Sequence, residues 1–409
     1  MLTIYQDNTE IFNMQTETKL PFITLLFMIS FASVNAVLFT PALPDIVSFF
    51  KITDATAQQT ITWFLIGYAF GQLIYGPIAN RFGRKPALYI GVSLQIISSL
   101  LCVFSGYIHE YTILVIGRFL LALGSGVGLK MTFTLVNECY EPKIASQKIS
   151  YLMLAFAITP GLGVAIGGIL NMHYGWMSCF YASAIYGFIL LLMLTRLPET
   201  QKILNYNALK LSHLLHGYSA QFKNKQLIAG GLIMGGSTCF VYIFAALAPF
   251  IAINLFGMSS AEYGIANLLP PIGLILGSLI SPRLVNRYSL ELLIRTGILI
   301  AGTGVILMIV FMLMHMSVII SLFSPIIIIY FGLSFILANA SSIAMSHTSD
   351  KAHGSAVMNF INMGIATIAV LSLGFFNTTQ FILPIIYVII CIGMLLIYKC
   401  LLSTTRSFN

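Results

Sequence analysis

The chain has 409 residues, of which 58% are hydrophobic and only 8% are charged, and its mean hydropathy is +0.94. Because an ordinary soluble domain carries roughly 25% charged residues, this composition excludes a water-soluble globular protein. The formal net charge of +8 does not indicate nucleic-acid binding, since the cations lie in short loops between apolar runs and form no solvated basic face.

Apolar runs of about 20 residues, each long enough as a helix to cross a hydrocarbon core of roughly 30 Å, recur along almost the whole chain. Because a lipid environment requires the backbone to satisfy its own hydrogen bonds, these runs predict an all-α polytopic membrane protein with twelve transmembrane helices in two six-helix halves. The predicted spans begin near Leu20, Thr60, Ala87, Thr112, Ile149, Met177, Gln226, Glu262, Leu292, Ser317, Ser355 and Gln380.

The order of the spans predicts five segments. They are a cytoplasmic N-terminal tail (1–19), an N-terminal six-helix bundle (20–197), a central cytoplasmic loop (198–225), a C-terminal six-helix bundle (226–400) and a cytoplasmic C-terminal tail (401–409). Residues 1–19 lack the basic start and the cleavage site of a secretory signal peptide. The loops on the side of the tails collect nearly all Lys and Arg, whereas the opposite loops hold only Lys51. This imbalance predicts cytoplasmic termini and a multi-pass protein of a bacterial-type inner membrane.

The stretch "GPIANRFGRKPAL", Gly76 to Leu88, follows the second span and places three cations within five residues. Gly76 and Gly83 are expected to allow close backbone approach and positive φ in a tight turn, and Pro86 suits the first turn of the next helix. The cations are Arg81, Arg84 and Lys85. They are expected to pair with carboxylates, helix ends or anionic lipid at the cytoplasmic surface. The alternative is a simple topology anchor.

A degenerate copy of this stretch occurs in the second half. "NRFG", Asn80 to Gly83, follows the second span, and "NRYS", Asn286 to Ser289, follows the eighth. Because the eighth span is the second span of the second half, the positions of the two copies favour a duplicated six-plus-six architecture.

The stretch Gly76 to Leu88 resembles the signature loop between helices 2 and 3 of the major facilitator superfamily. Three further motifs resemble the Bcr/CflA-type drug-resistance exporters of that superfamily: "PALPDI" (41–46), "LVIGRFLLALGSGVG" (114–128) and "TPGLGVAIGG" (159–168). The resemblance implies a cytoplasmic gate motif formed by Gly76, Asn80, Arg81, Gly83, Arg84 and Lys85. It also implies an antiporter-like helix-packing motif formed by Pro160, Gly163, Gly167 and Gly168.

The sequence departs from the family pattern at three positions. Asn80 stands where the signature loop usually has an aspartate, which predicts a weaker cytoplasmic latch because an amide carries no charge. Val37 stands where these exporters commonly have an acid in helix 1, and Val164 stands where they often have a second proline. No carboxylate lies in the middle of a predicted span, so the usual proton carrier is not visible.

Arg118 lies about six residues into the fourth span, where a cation costs roughly 2.5 to 3.5 kcal/mol on insertion scales. At 100° per residue it shares a face with Ser125, which we expect to point to the bundle interior, while Val127 and Met131 fall on a bulky outer side. Arg118 is predicted to serve substrate or proton-linked charge, with a structural ion pair as the alternative. Lys130 is predicted at the edge of the outer side, snorkelling to the interface, although a position facing the cavity is the alternative.

Neutral hydrogen-bonding groups are predicted to share the central cavity with Arg118. The candidates are Asn35, Ser125, Tyr242, Asn267, Asn339 and Asn359. For each of them singly, a hydrogen bond between helices is an equally good interpretation.

Enzymatic chemistry and metal binding are not expected. The six cysteines are scattered in or beside apolar runs without metal-ligand spacing, and "HTSD", His347 to Asp350, is not a metal or catalytic motif. Ser259 and Glu262 have capping-box spacing, which gives this acid a structural role. We therefore expect no catalytic residue, no metal and no cofactor.

The leading functional hypothesis is a monomeric secondary active transporter that works by alternating access. The resemblance implies proton-coupled efflux of a small amphipathic molecule such as a drug, metabolite or siderophore, with membrane lipid as the surrounding partner. The alternative is an organic-anion or polycarboxylate-siderophore transporter, working by import or anion exchange, because an interior with Arg118 and no mid-depth acid prefers neutral or anionic cargo.

Overall fold

The computed structural model describes residues 20–201, 204–206, 208–209, 218–346, 348 and 351–405. Twelve helices within this part of the chain are long and apolar enough to cross a membrane, which confirms the predicted fold class. We number these spans α1 to α12: Phe22–Phe50, Asp54–Phe82, Arg84–Tyr107, Tyr111–Cys139, Gln147–Tyr174, Met177–Leu194, Lys225–Leu255, Ser260–Val285, Leu290–Leu313, Ile319–Ser346, His353–Phe375 and Ile382–Lys399. The helix of α5 already begins at Pro142, and the helix of α12 continues to Thr405.

Several segments considered in the sequence lie outside the described residues. They are the N-terminal tail 1–19, much of the central loop 198–225, residues 406–409 of the C-terminal tail, and His347, Ser349 and Asp350 of the "HTSD" stretch.

Short polar residues begin several of the spans. The Thr53 hydroxyl accepts the backbone N–H of Thr56 at 3.2 Å, which caps α2. At the start of α8 the Ser259 hydroxyl accepts the N–H of Glu262 at 3.2 Å, and the Glu262 carboxylate accepts the N–H of Ser259 at 2.8 Å. This reciprocal pair is the predicted capping box.

Three spans are interrupted where a proline or glycine occurs. α1 consists of a helix Phe22–Val37, a 3-10 turn Thr40–Ala42 and a second helix Leu43–Phe50. Because Pro41 has no N–H, the Val37 carbonyl loses its helical donor and accepts the Thr40 hydroxyl at 2.8 Å instead. The other two interruptions divide α4 into Tyr111–Ser125 and Val127–Cys139, and α8 into Ser260–Ala266 and Pro270–Val285.

The same glycine contact joins the third and fourth spans of both halves. A Cβ added at Gly124 of α4 would lie 2.5 Å from the carbonyl oxygen of Gly91 in α3. A Cβ added at Gly332 of α10 would lie 2.5 Å from the carbonyl oxygen of Gly297 in α9. The two six-helix halves therefore repeat a backbone contact that only glycine permits at this distance.

The two halves meet along α5 with α8 and along α2 with α11. A Cβ added at Gly168 of α5 would lie 2.3 Å from the carbonyl oxygen of Ser260 in α8. The rings of Phe70 in α2 and Phe360 in α11 lie 6.1 Å apart, edge to face. One apolar core extends through both halves.

The two ends of the bundle differ in their polar residues. We call the end that carries Arg84, Glu138 and Glu199 the basic face, and the end that carries Asp45 and Asn171 the opposite face. At the opposite face a polar group links the halves, because the Asn171 amide of α5 donates to the Asp45 carboxylate at 2.5 Å and to the Ser260 hydroxyl of α8 at 3.0 Å.

Candidate functional site

Arg118 is buried at the interruption of α1, with 1% of its surface exposed. Its Nη1 donates to the carbonyl of Asn35 at 2.8 Å, and its Nη2 donates to the carbonyl of Ala36 at 3.3 Å. Its Nε donates to the carbonyl of Thr60 in α2 at 3.3 Å. The prediction that Arg118 lies inside the bundle is confirmed.

The position of Arg118 follows from the way α1 ends its first helix. The last four carbonyls of a helix have no helical donor, and they carry the negative end of the helix dipole. Arg118 satisfies two of them, those of Asn35 and Ala36. The three acceptors of Arg118 are neutral carbonyls, and no described carboxylate pairs with it, so the alternative of a buried ion pair is wrong. Within the described part of the chain, no negatively charged side chain offsets its positive charge.

Two aromatic rings enclose the guanidinium. Its central carbon lies 3.9 Å from the ring centre of Phe39 and 4.4 Å from that of Phe64. Both distances are within the range of cation–π attraction. A guanidinium has five N–H donors, and the described protein acceptors use three nitrogens once each. Two donors on the terminal nitrogens of Arg118 are therefore left for another acceptor.

Asn35 belongs to a buried polar network between α1, α3 and α6. Its side-chain oxygen accepts from the Gln95 amide at 3.0 Å and from the Ser183 hydroxyl, and its own amide donates to the Phe31 carbonyl at 2.7 Å. Gln95 also donates to the Ser99 hydroxyl at 2.9 Å. The Asn35 side chain thus joins helices and does not line a cavity. The sequence gives one indication of these partners, because Gln95 and Ser99 are four residues apart and so lie on the same face of α3.

Three other predicted cavity residues bond to their own helices. Ser125, Asn267 and Asn339 are buried, and each donates to the backbone carbonyl four residues earlier, at 2.8, 2.7 and 2.7 Å. Asn339 also approaches the Ser281 hydroxyl of α8 at 3.4 Å. The prediction that these three side chains line a cavity with Arg118 is wrong, because the helix backbone offers each one a nearer acceptor.

Tyr242 is the predicted residue of the second half that lies on a span contacting the break in α1. It is half-buried on α7, whose helix contacts the 3-10 turn Thr40–Ala42. Asn359 is half-buried on α11. The region around Arg118 is therefore built from the break in α1, from α2 and α4, and from a tyrosine of the other half.

The predicted outer side of α4 is wrong beyond Gly126. Val127 and Met131 are buried, and the Lys130 Nζ donates to the Gln72 carbonyl of α2 at 3.1 Å. Lys130 is half-buried against α2 and does not extend towards lipid. This side of α4 is covered by neighbouring spans, because a Cβ at Gly126 would lie 3.0 Å from Gly71 of α2 and one at Gly91 of α3 would lie 2.6 Å from the Val127 side chain.

The signature loop forms an ion pair inside the first half. Arg84 of α3 contacts Glu138 at the end of α4 at 2.7 Å, and its Nη1 donates to the Asn80 side chain at 2.7 Å. Asn80 thus keeps a contact with the loop cation, and the negative charge comes from Glu138. The sequence indicates Glu138 as a partner of the loop cations in one way, since it is an acid at the end of a span near the three cations.

Helix ends are the other partners of the signature loop. The Glu199 carboxylate accepts the N–H groups of Arg84 and Lys85, both at 2.9 Å, and so caps the start of α3. Lys85 Nζ donates to the carbonyls of Thr195 and Leu197 after α6, both at 3.0 Å. These contacts bind α3, α4 and α6 together at the basic face.

The two glycines of the signature loop have different roles. Gly83 has φ of 107°, as predicted for the turn between α2 and α3. Gly76 lies inside the α2 helix, so its predicted place in the turn is wrong. A Cβ at Gly76 would lie 2.6 Å from Lys130 Nζ, which means that Gly76 leaves room for this ammonium group. Arg81 donates to the Tyr206 carbonyl of the central loop.

The glycines of α5 pack against two partners. A Cβ at Gly167 would lie 1.7 Å from the Leu38 carbonyl of α1, and one at Gly163 would lie 3.3 Å from the Val37 side chain. Gly168 faces α8 of the other half. The α5 helix runs without interruption through Pro160. α5 is therefore held closely both to the broken span of its own half and to the other half.

Metal and cofactor ligands are not gathered in the described part of the chain, where no three His, Cys, Asp or Glu residues are placed to hold a metal ion. Five cysteines whose side chains the structure describes carry free thiols, namely Cys102, Cys139, Cys179, Cys239 and Cys391. All of them except Cys139 are buried, as expected of helix-packing residues.

The model of the Major Facilitator Superfamily matches residues 25–370. The chain belongs to the Major Facilitator Superfamily. This major facilitator is 28% identical over 336 residues to the multidrug transporter MdfA of Edwardsiella piscicida, covering 81% of this chain and 80% of that one. It is 23% identical over 291 residues to a bicyclomycin resistance protein homolog of Haemophilus influenzae, covering 70% and 72%. The resemblance to Bcr/CflA-type exporters is thereby confirmed.

Solved structures of major facilitators share the fold. A peptide transporter POT in complex with sulfate superposes with a TM-score of 0.75 at 15% identity, covering 94% of both chains. At this identity the likeness shows the fold alone.

Proposed function

We propose that this major facilitator exports small amphipathic molecules by alternating access, in exchange for protons. The names of its relatives, a multidrug transporter and a bicyclomycin resistance protein homolog, support drug-like cargo and outward movement. The Lys and Arg residues of the loops support a cytoplasmic basic face, with both termini on that side.

The observation that carries this proposal is the buried charge of Arg118, which no described carboxylate pairs with. A charge of this kind in a low-dielectric interior binds an acceptor strongly once water is excluded. Arg118 is covered by Phe39 and Phe64 of its own half, so cargo reaches its remaining donors when these two rings change position. Rocking of one half against the other is the motion by which such folds expose a central site.

The close α5–α8 contact at Gly168 and the Asn171–Ser260 hydrogen bond support a seal at the opposite face. The ion pair and caps of the signature loop lie within the first half and the central loop. In the proposed cycle these contacts keep the first half rigid while the seal at the opposite face opens.

A second candidate is organic-anion transport, either inward or by exchange. It is favoured by a specific observation, because Arg118 and Lys130 are both inside the first half and no described carboxylate contacts either one. Anionic cargo would supply the missing charge, whereas a cation would be repelled at both positions.

Flux into proteoliposomes with an imposed pH gradient tests the proposal. The cargo set should contain a lipophilic cation, a neutral amphiphile and an organic carboxylate, and the proteins should be the wild type, Arg118→Ala and Arg283→Ala. Arg283 is an exposed arginine of α8 that bonds only to its own helix among the described residues. We expect gradient-driven flux that Arg118→Ala abolishes and Arg283→Ala retains.

The outcomes separate the two candidates. Robust cation flux that survives Arg118→Ala contradicts the anion candidate. If no cargo responds to the gradient, proton coupling is wrong, and if no cargo moves at all, transport of amphipathic molecules is wrong.

A further inference from the structure

A second cation lies inside the first half, nearer the basic face than Arg118. Lys130 and Arg118 are twelve residues apart on α4, which corresponds to roughly 18 Å along a helix axis. The Lys130 ammonium group sits in a slot on α2 between Gln72, whose carbonyl it contacts at 3.1 Å, and Gly76, one turn further on. The slot exists because Gly76 has no side chain.

The Lys130 charge has no partner of opposite sign among the described residues. The nearby Glu138 carboxylate is engaged by Arg84 at 2.7 Å and by the Thr200 hydroxyl at 2.5 Å. Arg84 itself interacts with Lys130 as a like charge. An ammonium has three N–H donors, and the described protein supplies one acceptor, the Gln72 carbonyl.

A second unpaired donor lies beside it. Gln72 is 5% exposed, and its buried side-chain Nε2 has no acceptor within 3.5 Å among the described residues, although the Tyr68 hydroxyl one turn earlier interacts with this side chain. If Lys130 only fastened α4 to α2, the structure would be expected to satisfy this amide, because buried donors are nearly always paired. Two neighbouring spans instead present an ammonium with two unused N–H donors and an amide that lacks a close acceptor.

A carboxylate supplies the acceptors that these two donors lack, since it accepts several hydrogen bonds and carries the opposite charge. We propose that Lys130 and Gln72 form a binding site for the carboxylate of an amphipathic organic acid on the basic-face side of the cargo route. This inference rests on the proposed transport function and specifies its cargo as a carboxylate. We call the pair the carboxylate site.

Polar groups connect the carboxylate site with Arg118. Tyr68 precedes Gln72 by one turn of α2, and Tyr242 of the other half interacts electrostatically with both Tyr68 and Arg118. A carboxylate released from Lys130 would therefore pass two hydroxyl groups before it meets the unused donors of Arg118. The aromatic rings of Tyr68 and Phe64, stacked 6.3 Å apart, offer apolar surface for the body of the cargo.

Equilibrium binding to the purified full-length protein tests the carboxylate site without requiring transport. The probes are 3-phenylpropionate and octanoate, each paired with its uncharged primary amide. In Lys130→Gln we expect the affinity for the carboxylates to fall about tenfold, as for loss of a charge-assisted contact, while the affinity for the amides stays unchanged. In Gln72→Leu we expect a smaller loss of the same selectivity. The matched control is Arg283→Gln, which removes an exposed cation from α8 and should change neither affinity.

A variant that keeps the charge gives an independent measurement. Gly76→Ala places a methyl group where the Lys130 ammonium now lies, so it should also reduce selectivity for the carboxylates. In wild-type protein, bound 3-phenylpropionate should slow reductive methylation of Lys130, read by peptide mass spectrometry, while exposed Lys225 reacts unchanged. The amide should give no protection.

Two results would overturn the carboxylate site. One is a folded Lys130→Gln protein that still prefers carboxylates to amides as the wild type does. The other is wild-type protein in which neither carboxylate binds or protects Lys130. Either result leaves the proposed export function standing if neutral amphiphiles still show gradient-driven flux.

Discussion

The two halves of the molecule share their backbone contacts but not their charges. The third and fourth spans approach through Gly91 and Gly124 in one half and through Gly297 and Gly332 in the other. Yet α4 carries Arg118, whereas α10, the fourth span of the second half, contains no lysine or arginine. The two halves thus repeat the contact between their third and fourth spans, whereas the cations that are buried or half-buried inside a described span belong to the first half.

The loops after the second span of each half differ in the same way. In the first half Arg84 is paired with Glu138, and Glu199 caps the following helix. In the second half Arg283 and Arg287 are exposed, and Arg283 donates to a carbonyl of its own helix. The helices of the first half are thus held together at the basic face. The corresponding cations of the second half mainly set the orientation of the chain in the membrane.

The largest expected effect comes from changing the chemistry of Arg118 while keeping its charge. A lysine has one nitrogen and cannot reach three carbonyls or lie flat between two rings. Arg118→Lys therefore leaves two carbonyls unpaired, and each lost hydrogen bond to the charged group costs about 1.5–3 kcal/mol of free energy. We expect the rate of gradient-driven flux to fall at least tenfold. Arg283→Lys, the matched change in the second half, should keep the wild-type rate. Equal rates in both variants would show that the halves do not differ as proposed.

The next effect concerns the glycine contact between α5 and the broken α1. A Cβ at Gly167 would lie 1.7 Å from the Leu38 carbonyl, whereas one at Gly302 of α9 meets no atom within 4 Å. Gly167→Val should lower the free energy of unfolding by about 1–3 kcal/mol through overpacking, and Gly302→Val should lower it much less. Thermal unfolding in detergent measures both variants. A stable Gly167→Val protein would mean that α1 and α5 can separate freely.

A smaller effect is expected for the ion pair at the basic face. A double-mutant cycle with Arg84→Ala and Glu138→Ala should give a coupling free energy of about 0.2–1 kcal/mol, because both side chains are partly exposed. Arg287→Ala in the second half should change stability by less than the cycle detects. The measurement is denaturant unfolding at low and high salt, and a coupling that ignores salt would contradict an electrostatic origin.

The smallest effect is expected from restoring, at Asn80, the aspartate that the family usually has. Asn80→Asp places a carboxylate 2.7 Å from Arg84 Nη1, but Glu138 already occupies the other side of this guanidinium. We expect a gain in stability of a few tenths of a kcal/mol, about the value of an exposed pair, together with slower flux if the latch limits the cycle. Faster flux, or a loss of stability, would show that repulsion between the two acids outweighs the new pair.

Local patterns in the sequence were sufficient for the architecture. Hydrophobic runs predicted twelve spans because each must cross the same apolar thickness, and the predicted starts fall within six residues of the observed span starts. The capping box at Ser259 was also predicted, since both partners lie within one turn. The interior position of Arg118 followed from the cost of placing a cation in lipid.

The partners of the charged residues depended on tertiary structure. Lys130 was misplaced because α2 packs against the side of α4 that was expected to face lipid. Asn35 found its partners in α3 and α6, far away in the chain.

Arg118 shows the reason most clearly. Its acceptors are backbone carbonyls, a group that every residue carries. The sequence by itself therefore determined that a cation is buried in α4. Only the folded chain decided which carbonyls it meets, because Pro41 breaks α1 and packing brings that break beside α4.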